Sequence, residues 1–277
     1  MGHSRVAPGF RAALHSLFRV HNETANIFTH AAGFVLCAWL LRGVVLAPAD
    51  VGLAPAQPRA CAGAPVWPLA VFLVGALVCL GASVAFHTFA PVSAKAFVAL
   101  AKADYAGISA LIFTSMVPPL VYSFWDDAHS LRVYLALAAA TNGVAAAAGT
   151  LDRFRSSEWR AARAAAFVAC GLVGGAPLLH ALWRSHQPDT PLDEHNAARR
   201  AVWGTLVMGT QYLLGALLYA ARIPERYWPG WFDLFGSHAI FHVLVVTAVS
   251  FARAPAIARP SVLPITPKLC SIWTLTI

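Results

Sequence analysis

The sequence predicts an all-α membrane protein, a bundle of seven transmembrane helices, and two observations carry this prediction. Hydrophobic residues make up 58% of the 277 residues and charged residues only 12%, with a mean hydropathy of +0.63. An ordinary soluble domain carries about 25% charged residues. The hydrophobic residues are gathered into runs of about 20, the length at which a helix crosses the hydrocarbon core of a bilayer. We therefore expect an integral, multi-pass membrane protein.

The runs follow one another as Ile27–Leu46, Trp67–Ala90, Phe97–Phe124, Leu131–Gly149, Ala161–Trp183, Ala201–Ala221 and Gly236–Phe251. The first, second, third, fifth and sixth are long enough to span a bilayer. The fourth is rich in alanine and less apolar, so it must pack against other helices. The seventh is short and is followed by Arg253 and Pro255. An N-terminal arm (residues 1–26) and a proline-rich tail (residues 252–277) flank a single bundle over residues 27–251.

The distribution of Lys and Arg predicts a cytoplasmic N-terminus and, after seven crossings, a C-terminus outside, because cytoplasmic loops carry an excess of both. The richer side holds Arg5, Arg11, Arg19, Lys95, Lys102, Arg153, Arg155, Arg160, Arg163, Arg222 and Arg226. The other side holds Arg59, Arg132, Arg184, Arg199, Arg200, Arg253, Arg259 and Lys268. A net charge of +8 spread over loops fits lipid headgroups rather than a nucleic-acid partner. The first residues lack the apolar core of a signal peptide.

The five cysteines show no spacing typical of metal or redox motifs. Cys37, Cys79 and Cys170 fall inside apolar runs and are expected to be small buried residues. Cys61 and Cys270 could form a disulfide if they share one face of the membrane.

Two histidines open the seventh run. His238 and His242 are four residues apart, so on a helix both imidazoles lie on one face. Such a pair is a common half of a zinc site. The alternative is a pair of histidines that bond to neighbouring helices or lie at the membrane interface.

The number of crossings brings further polar residues to the same side. His87 lies near the end of the second run, and Asp104 about two turns into the third. Four crossings later the chain returns to this side at His238 and His242, so these four residues are expected at similar depth. The histidines predicted for the opposite side, and interpreted as surface groups, are His129, His180, His186 and His195.

Three neutral imidazoles with an open fourth position are typical of a catalytic zinc site, where the bound water has a pKa of about 7. Asp104 would then orient a ligand or the water, or act as general base and acid. Alternatively it is a buried carboxylate bonded to Tyr105 or Ser83. Ser83 shares a helical face with His87, although a serine in a membrane helix often bonds its own i−4 carbonyl.

The start of the first run offers a rival fourth ligand, His30, about one turn in. Glu23, Thr24 and Asn26 are interpreted as capping this helix and tying it to a neighbouring loop.

The loop before the seventh run is ambiguous. It carries Arg222, Glu225, Arg226, Trp228 and Trp231. It is either an aromatic belt with interfacial charges or a structured cover over the site, with Glu225 paired to a basic residue.

Four stretches together resemble the progestin and adipoQ receptor family, which includes the adiponectin receptors and the plant heptahelical proteins. They are HNETANIFTHAAGF at 21–34, SVAFHTF at 83–89, KADYAGIS at 102–109 and ARIPERYWPGWFDLFGSHAIFHVLVV at 221–246. The resemblance implies a seven-helix bundle with a cytoplasmic N-terminus and a zinc ion near the cytoplasmic side. It also implies that His87, His238 and His242 bind the zinc, with Ser83 and Asp104 beside it.

The family is similar to alkaline ceramidases in this constellation, and adiponectin receptors are credited with hydrolysing ceramide, which implies a membrane lipid substrate. One departure is Ala239, which stands where the family often has glutamine; another is the tail after Phe251. Two functions remain open: a zinc-dependent lipid amidase, or a signalling receptor with a structural zinc ion and an unknown outer ligand. A channel or transporter is less expected, because the polar residues cluster at one depth.

Overall fold

The computed structural model describes residues 9–46, 66–152, 156–188 and 192–251, and within these ranges the chain is helical, with no strand. The helices are α1 (Phe10–Ser16), α2 (Thr24–Leu46), α3 (Trp67–Phe89), α4 (Ala94–Ser123), α5 (Ala128–Gly149), α6 (Arg160–Leu172), α7 (Gly175–Ser185), α8 (Leu192–Ala221) and α9 (Ser237–Phe251). Short 3₁₀ turns at Ala90–Val92 and Ser157–Trp159 follow α3 and precede α6. The predicted all-α class is therefore correct.

Among the described residues, six helical stretches are long and apolar enough to cross a membrane. They are Thr24–Leu46, Trp67–Val92, Ala94–Ser123, Ala128–Gly149, Arg160–Ser185 and Val202–Ala221. This establishes an integral, multi-pass membrane protein, as predicted. The 15 residues of α9 rise only about 22 Å as a helix, against a hydrocarbon core of about 30 Å.

The first four predicted runs agree with α2 to α5 within a few residues, but three elements differ from the prediction. The fifth run is two helices, because glycines at 171, 174 and 175 and Pro177 weaken helical continuity there. The sixth helix begins earlier, at Leu192, since its polar first turns are rich in helix-forming residues that a hydropathy pattern overlooks. In the N-terminal arm, α1 was not predicted.

The bundle core lies around α3. Buried side chains from α2, α3, α4 and α9 form its main cluster: Cys37, Leu40, Val44, Leu69, Phe72, Leu73, Ala76, Cys79, Leu80, Leu111, Val245 and Val249. Cys37, Cys79 and Cys170 are free and buried, as predicted, while Cys61 and Cys270 lie outside the described residues. The core thus holds α2, α3, α4 and α9 together, and these helices carry all of the predicted site residues.

A glycine sets the close approach of α3 and α4. A Cβ at Gly107 would lie 2.9 Å from the Cα of Cys79, closer than side-chain carbons are found. Small residues let membrane helices pack backbone to backbone. Gly107 lies one turn beyond Asp104, and Cys79 one turn before Ser83, so this contact fixes the register of the two polar residues.

Candidate metal centre

Three imidazoles converge where the end of α3 meets the start of α9. His87, His238 and His242 each offer one nitrogen, and these nitrogens all lie within 4.8 Å of one another. His87 and His242 are buried and His238 is half-buried. The sequence predicted this convergence, and the cluster could hold a metal ion.

The spacing of the nitrogens fits one ion. The Nε2 atoms of His87 and His238 are 3.2 Å apart. Two nitrogens bound at about 2.0–2.1 Å to a single tetrahedral ion lie about 3.3 Å from each other. Two neutral nitrogens that face each other this closely need a proton or a cation between them. Neutral imidazoles are the ligands that borderline metal ions prefer in proteins.

Oxygen atoms at the start of α2 orient the rings of His87 and His242. Oε2 of Glu23 lies 2.7 Å from Nδ1 of His87, and the backbone oxygen of Asn26 lies 3.2 Å from Nδ1 of His242. An acceptor at Nδ1 keeps the proton there and leaves Nε2 free for a metal, a common arrangement around ligand histidines. The Asn26 side chain also donates to Glu23 at 2.8 Å.

Glu23 is a site residue that the sequence interpretation missed. It ties α2 to the end of α3 rather than to a loop. Burial raises the pKa of this carboxyl, but its interaction with His87 and the hydrogen bond from Asn26 lower it by more, so the pKa falls to about 2. The sequence did offer one indication: Glu23 precedes α2 on the side of the membrane predicted for the histidines, so it could have been expected near them. Thr24 accepts a hydrogen bond from the His21 amide, which precedes α2, so this bond ties the helix start to the preceding turn and does not cap the first amides of α2.

Asp104 and Ser83 meet beside the histidines. The Ser83 hydroxyl lies close enough to the Asp104 carboxylate to stabilise its charge, and Ser83 is buried. Ser83 is one of the two neighbours of Asp104 that the sequence suggested, the other being Tyr105. Both residues also line a cavity together with His238 and His242.

The imidazole of His30 is outside the cluster of three converging nitrogens, so the structure does not support its interpretation as a fourth ligand. It instead stacks on His242, with ring centroids 3.5 Å apart and planes inclined by 15°. His30 is buried and lines the same cavity.

The start of α9 is held by the preceding loop. Glu225 accepts hydrogen bonds from both the amide and the hydroxyl of Ser237, the residue before His238. Its partner is thus a serine rather than the basic residue considered above. Trp228 and Trp231 are 55% and 86% exposed, which fits an aromatic belt at the membrane interface.

Glu225 is ionised more easily than an ordinary glutamate. Partial burial raises its pKa, but the bonds from Ser237 and the charge of Arg222 lower it by more, so the pKa lies below its ordinary 4.5. A charged carboxylate at this position also complements the positive end of the α9 dipole.

The cavity has a volume of about 380 Å³ and a largely apolar lining from α3, α4, α6, α7, α8 and α9, to which α2 adds His30. On α4 its wall extends from Asp104 to Ser123, about 30 Å along the helix axis. Its polar end is at the histidines, and its far end is at Phe124 and Pro177. A long hydrocarbon chain fits such a shape.

The histidines predicted for the opposite side of the membrane lie at the other end of the bundle. The Tyr134 hydroxyl lies 3.0 Å from Nδ1 of His180, and Arg184 pairs with Asp126 at 2.6 Å. His129 and His186 are exposed. None of these three histidines joins the cluster of His87, His238 and His242, as predicted. His180, however, is half-buried rather than a surface group, and the side chain of His195 lies outside the described residues.

Comparison with known proteins identifies the family. A family model described as haemolysin-III related matches residues 18–252. The chain belongs to this family. Over 252 residues it is 36% identical to the adiponectin receptor protein of Drosophila melanogaster, a match that covers 89% of this chain and 52% of that protein.

Two further relatives support this family assignment. Heptahelical transmembrane protein 1 of Arabidopsis thaliana is 34% identical over 254 residues, which cover 89% of this chain and 72% of that protein. Progestin and adipoQ receptor-like protein 1 of Caenorhabditis elegans is 34% identical over 248 residues, which cover 89% of this chain and 54% of that protein. The resemblance to the progestin and adipoQ receptors is confirmed. The chain spans about half the length of the fly and nematode relatives.

Proposed function

We propose that this protein is a seven-span, zinc-binding member of the adiponectin receptor type that hydrolyses a lipid amide such as ceramide. One observation carries the proposal: His87, His238 and His242 converge beside Asp104 at the polar end of an apolar cavity. A closed structural zinc site has four protein ligands. Three imidazoles with a neighbouring carboxylate and a cavity for a lipid chain suit catalysis better.

The proposed topology has α9 as the seventh crossing, with the N-terminus in the cytoplasm and the C-terminus outside. Contact between the end of α3 and the start of α9 supports it, because seven crossings bring these two ends to one side. The excess of Lys and Arg on that side supports its assignment as cytoplasmic. The metal centre then lies near the inner leaflet.

The residues around the cluster suggest how the reaction is divided. A zinc ion held by the three imidazoles would supply Lewis acidity to polarise the amide carbonyl and to acidify water. Asp104 takes a proton from the attacking water and passes it to the amine as the carbon–nitrogen bond breaks. Ser83 holds the Asp104 carboxylate in place. The products are a fatty acid and an amine, and the apolar cavity retains the acyl chain during the reaction.

The test is turnover of ceramide by purified protein in nanodiscs, with metal analysis of the same samples. We expect zinc in the wild type and release of fatty acid and sphingoid base. His242→Ala should lose most of the metal and the activity together. A wild-type rate no higher than that of His87→Ala would rule out the hydrolase.

The alternative is a signalling receptor with a structural zinc ion and an outer ligand that is still to be identified. It is favoured by the names of the fly and nematode relatives, which are receptors or receptor-like. A cation at the cluster would also link α3 to α9, elements far apart in the chain. This function predicts that zinc removal unfolds the bundle and that wild-type protein releases no fatty acid.

A further inference from the structure

His30 is a buried imidazole with unfilled hydrogen-bonding capacity. Only 4% of the residue is exposed, and neither ring nitrogen has a hydrogen-bond partner among the described residues. A neutral imidazole carries one donor and one acceptor. Buried polar groups in folded proteins are nearly always paired, so the missing partner of His30 is expected to be a bound group that the described side chains do not supply.

The orientation of His30 is fixed by its neighbour. Its ring lies face to face with that of His242, with 3.5 Å between centroids. The stack uses the faces of both rings, so the two nitrogens of His30 remain at its edge. His30 also lines the cavity, with Asp104, Ser83 and His238 in the same polar end.

We propose that His30 binds the polar group of a lipid amide in this cavity through a hydrogen bond from its ring. This inference rests on the proposed function for the class of ligand. An amide or an adjacent hydroxyl offers both a donor and an acceptor, which matches what His30 lacks. The remaining lining is largely hydrocarbon, which binds chains without distinguishing their polar groups.

The experiment uses His30→Phe, which keeps a ring to stack on His242 but removes both nitrogens. The control is His129→Phe, which removes an exposed imidazole at the start of α5. Protein in nanodiscs, with the metal it carries when purified, is cross-linked with a photoactivatable, non-hydrolysable ceramide analogue that keeps an amide-like donor and acceptor. The same protein is cross-linked separately with a photoactivatable alkane of the same chain length. Metal binding is measured on the same variants with Co²⁺, whose absorption spectrum reports the coordination geometry.

We expect His30→Phe to bind the ceramide about tenfold more weakly, the effect of losing one buried hydrogen bond. Its affinity for the alkane and its Co²⁺ spectrum should match those of the wild type, and His129→Phe should match in all three. If His30→Phe does not fold, His30→Leu takes its place. The proposal is overturned if ceramide affinity is unchanged, if the Co²⁺ spectrum changes, or if wild-type protein binds ceramide no better than the alkane. Because the analogue is not hydrolysed, its binding can be interpreted whether or not the protein is a hydrolase.

Discussion

The carboxylate of Glu23 lies 2.7 Å from Nδ1 of His87, although 64 residues separate them in the chain. Glu23 precedes the first long helix, and His87 ends the second. The bond fixes the ring of His87 so that its Nε2 faces Nε2 of His238. Glu23 therefore positions one imidazole of the candidate metal cluster without belonging to the cluster itself.

Removing this carboxylate should weaken metal binding. In Glu23→Ala we expect affinity for zinc to fall about 10- to 100-fold, the usual effect of losing a partner of a ligand histidine. Competition with a chelator measures the affinity. The control is Glu158→Ala, which removes an exposed carboxylate at the 3₁₀ turn before α6. Equal affinities in wild type and Glu23→Ala would contradict the positioning role.

On the proposed function, Asp104→Asn should abolish most of the hydrolysis without affecting metal binding. The amide is close in size to the carboxylate and can still accept a bond from Ser83, but it cannot take up a proton. We expect kcat for ceramide to fall about 10²- to 10⁴-fold while zinc content is unchanged. Asp126→Asn is the matched control, since Asp126 pairs with Arg184 at the opposite end of the bundle. Turnover by Asp104→Asn at the wild-type rate would remove Asp104 from the reaction.

Gly107→Ala should destabilise the bundle by about 1–3 kcal/mol, because its methyl group would press on the backbone of Cys79. Gly143→Ala is the matched control on α5, where an added Cβ meets no atom within 4 Å. Alanine there should stabilise the helix by about 0.5–1 kcal/mol. Unfolding in detergent micelles measures both changes. Two effects of the same sign and size would show that the approach of α3 to α4 is not tight.

Filling the cavity should block lipid binding but spare the metal. Gly209 lines the cavity, and an added Cβ there meets nothing within 4 Å. We expect Gly209→Leu to reduce ceramide binding, which photo-cross-linking measures. Its zinc content should stay at the wild-type level. Gly143→Leu adds the same side chain to an exposed face of α5 outside the cavity. If both variants bind ceramide as the wild type does, the lipid lies elsewhere.

The bond between Glu225 and Ser237 predicts a pH dependence. Because folding lowers the pKa of Glu225, its contribution is complete above the unfolded value of 4.5 and is lost as pH falls through the folded value. Glu225→Gln should therefore unfold at a lower temperature than the wild type at pH 7. The difference between the two midpoints should shrink as the pH falls below 4.5. A difference that grows on acidification would mean that the carboxylate destabilises the start of α9.

Much of the fold and the three-histidine cluster follow from the sequence. Apolar runs of bilayer length identify most of the spanning helices, and the number of crossings determines which helix ends meet. His87 could therefore be matched with His238 and His242 without knowing any contact. The break between α6 and α7 was missed because the run stays apolar through its glycines. Hydropathy reports burial in lipid but not the continuity of a helix.

The partners of the histidines were harder to predict for a different reason. Glu23 has the position of a helix-capping residue, and the oxygen from Asn26 belongs to the backbone, which no side-chain pattern reveals. The stacking of His30 on His242 depends on how α2 packs against α9. Such contacts are set by helix rotation and by the small residues between helices, which a single sequence specifies only weakly.

Two of the three converging imidazoles come from α9, the last helix that the structure describes, whereas Glu23 stands before the first long one. A nascent chain that has not yet released α9 from the ribosome offers a single histidine of the set. A metal ion bound at this cluster would therefore be acquired late in biogenesis, after α9 has joined the bundle.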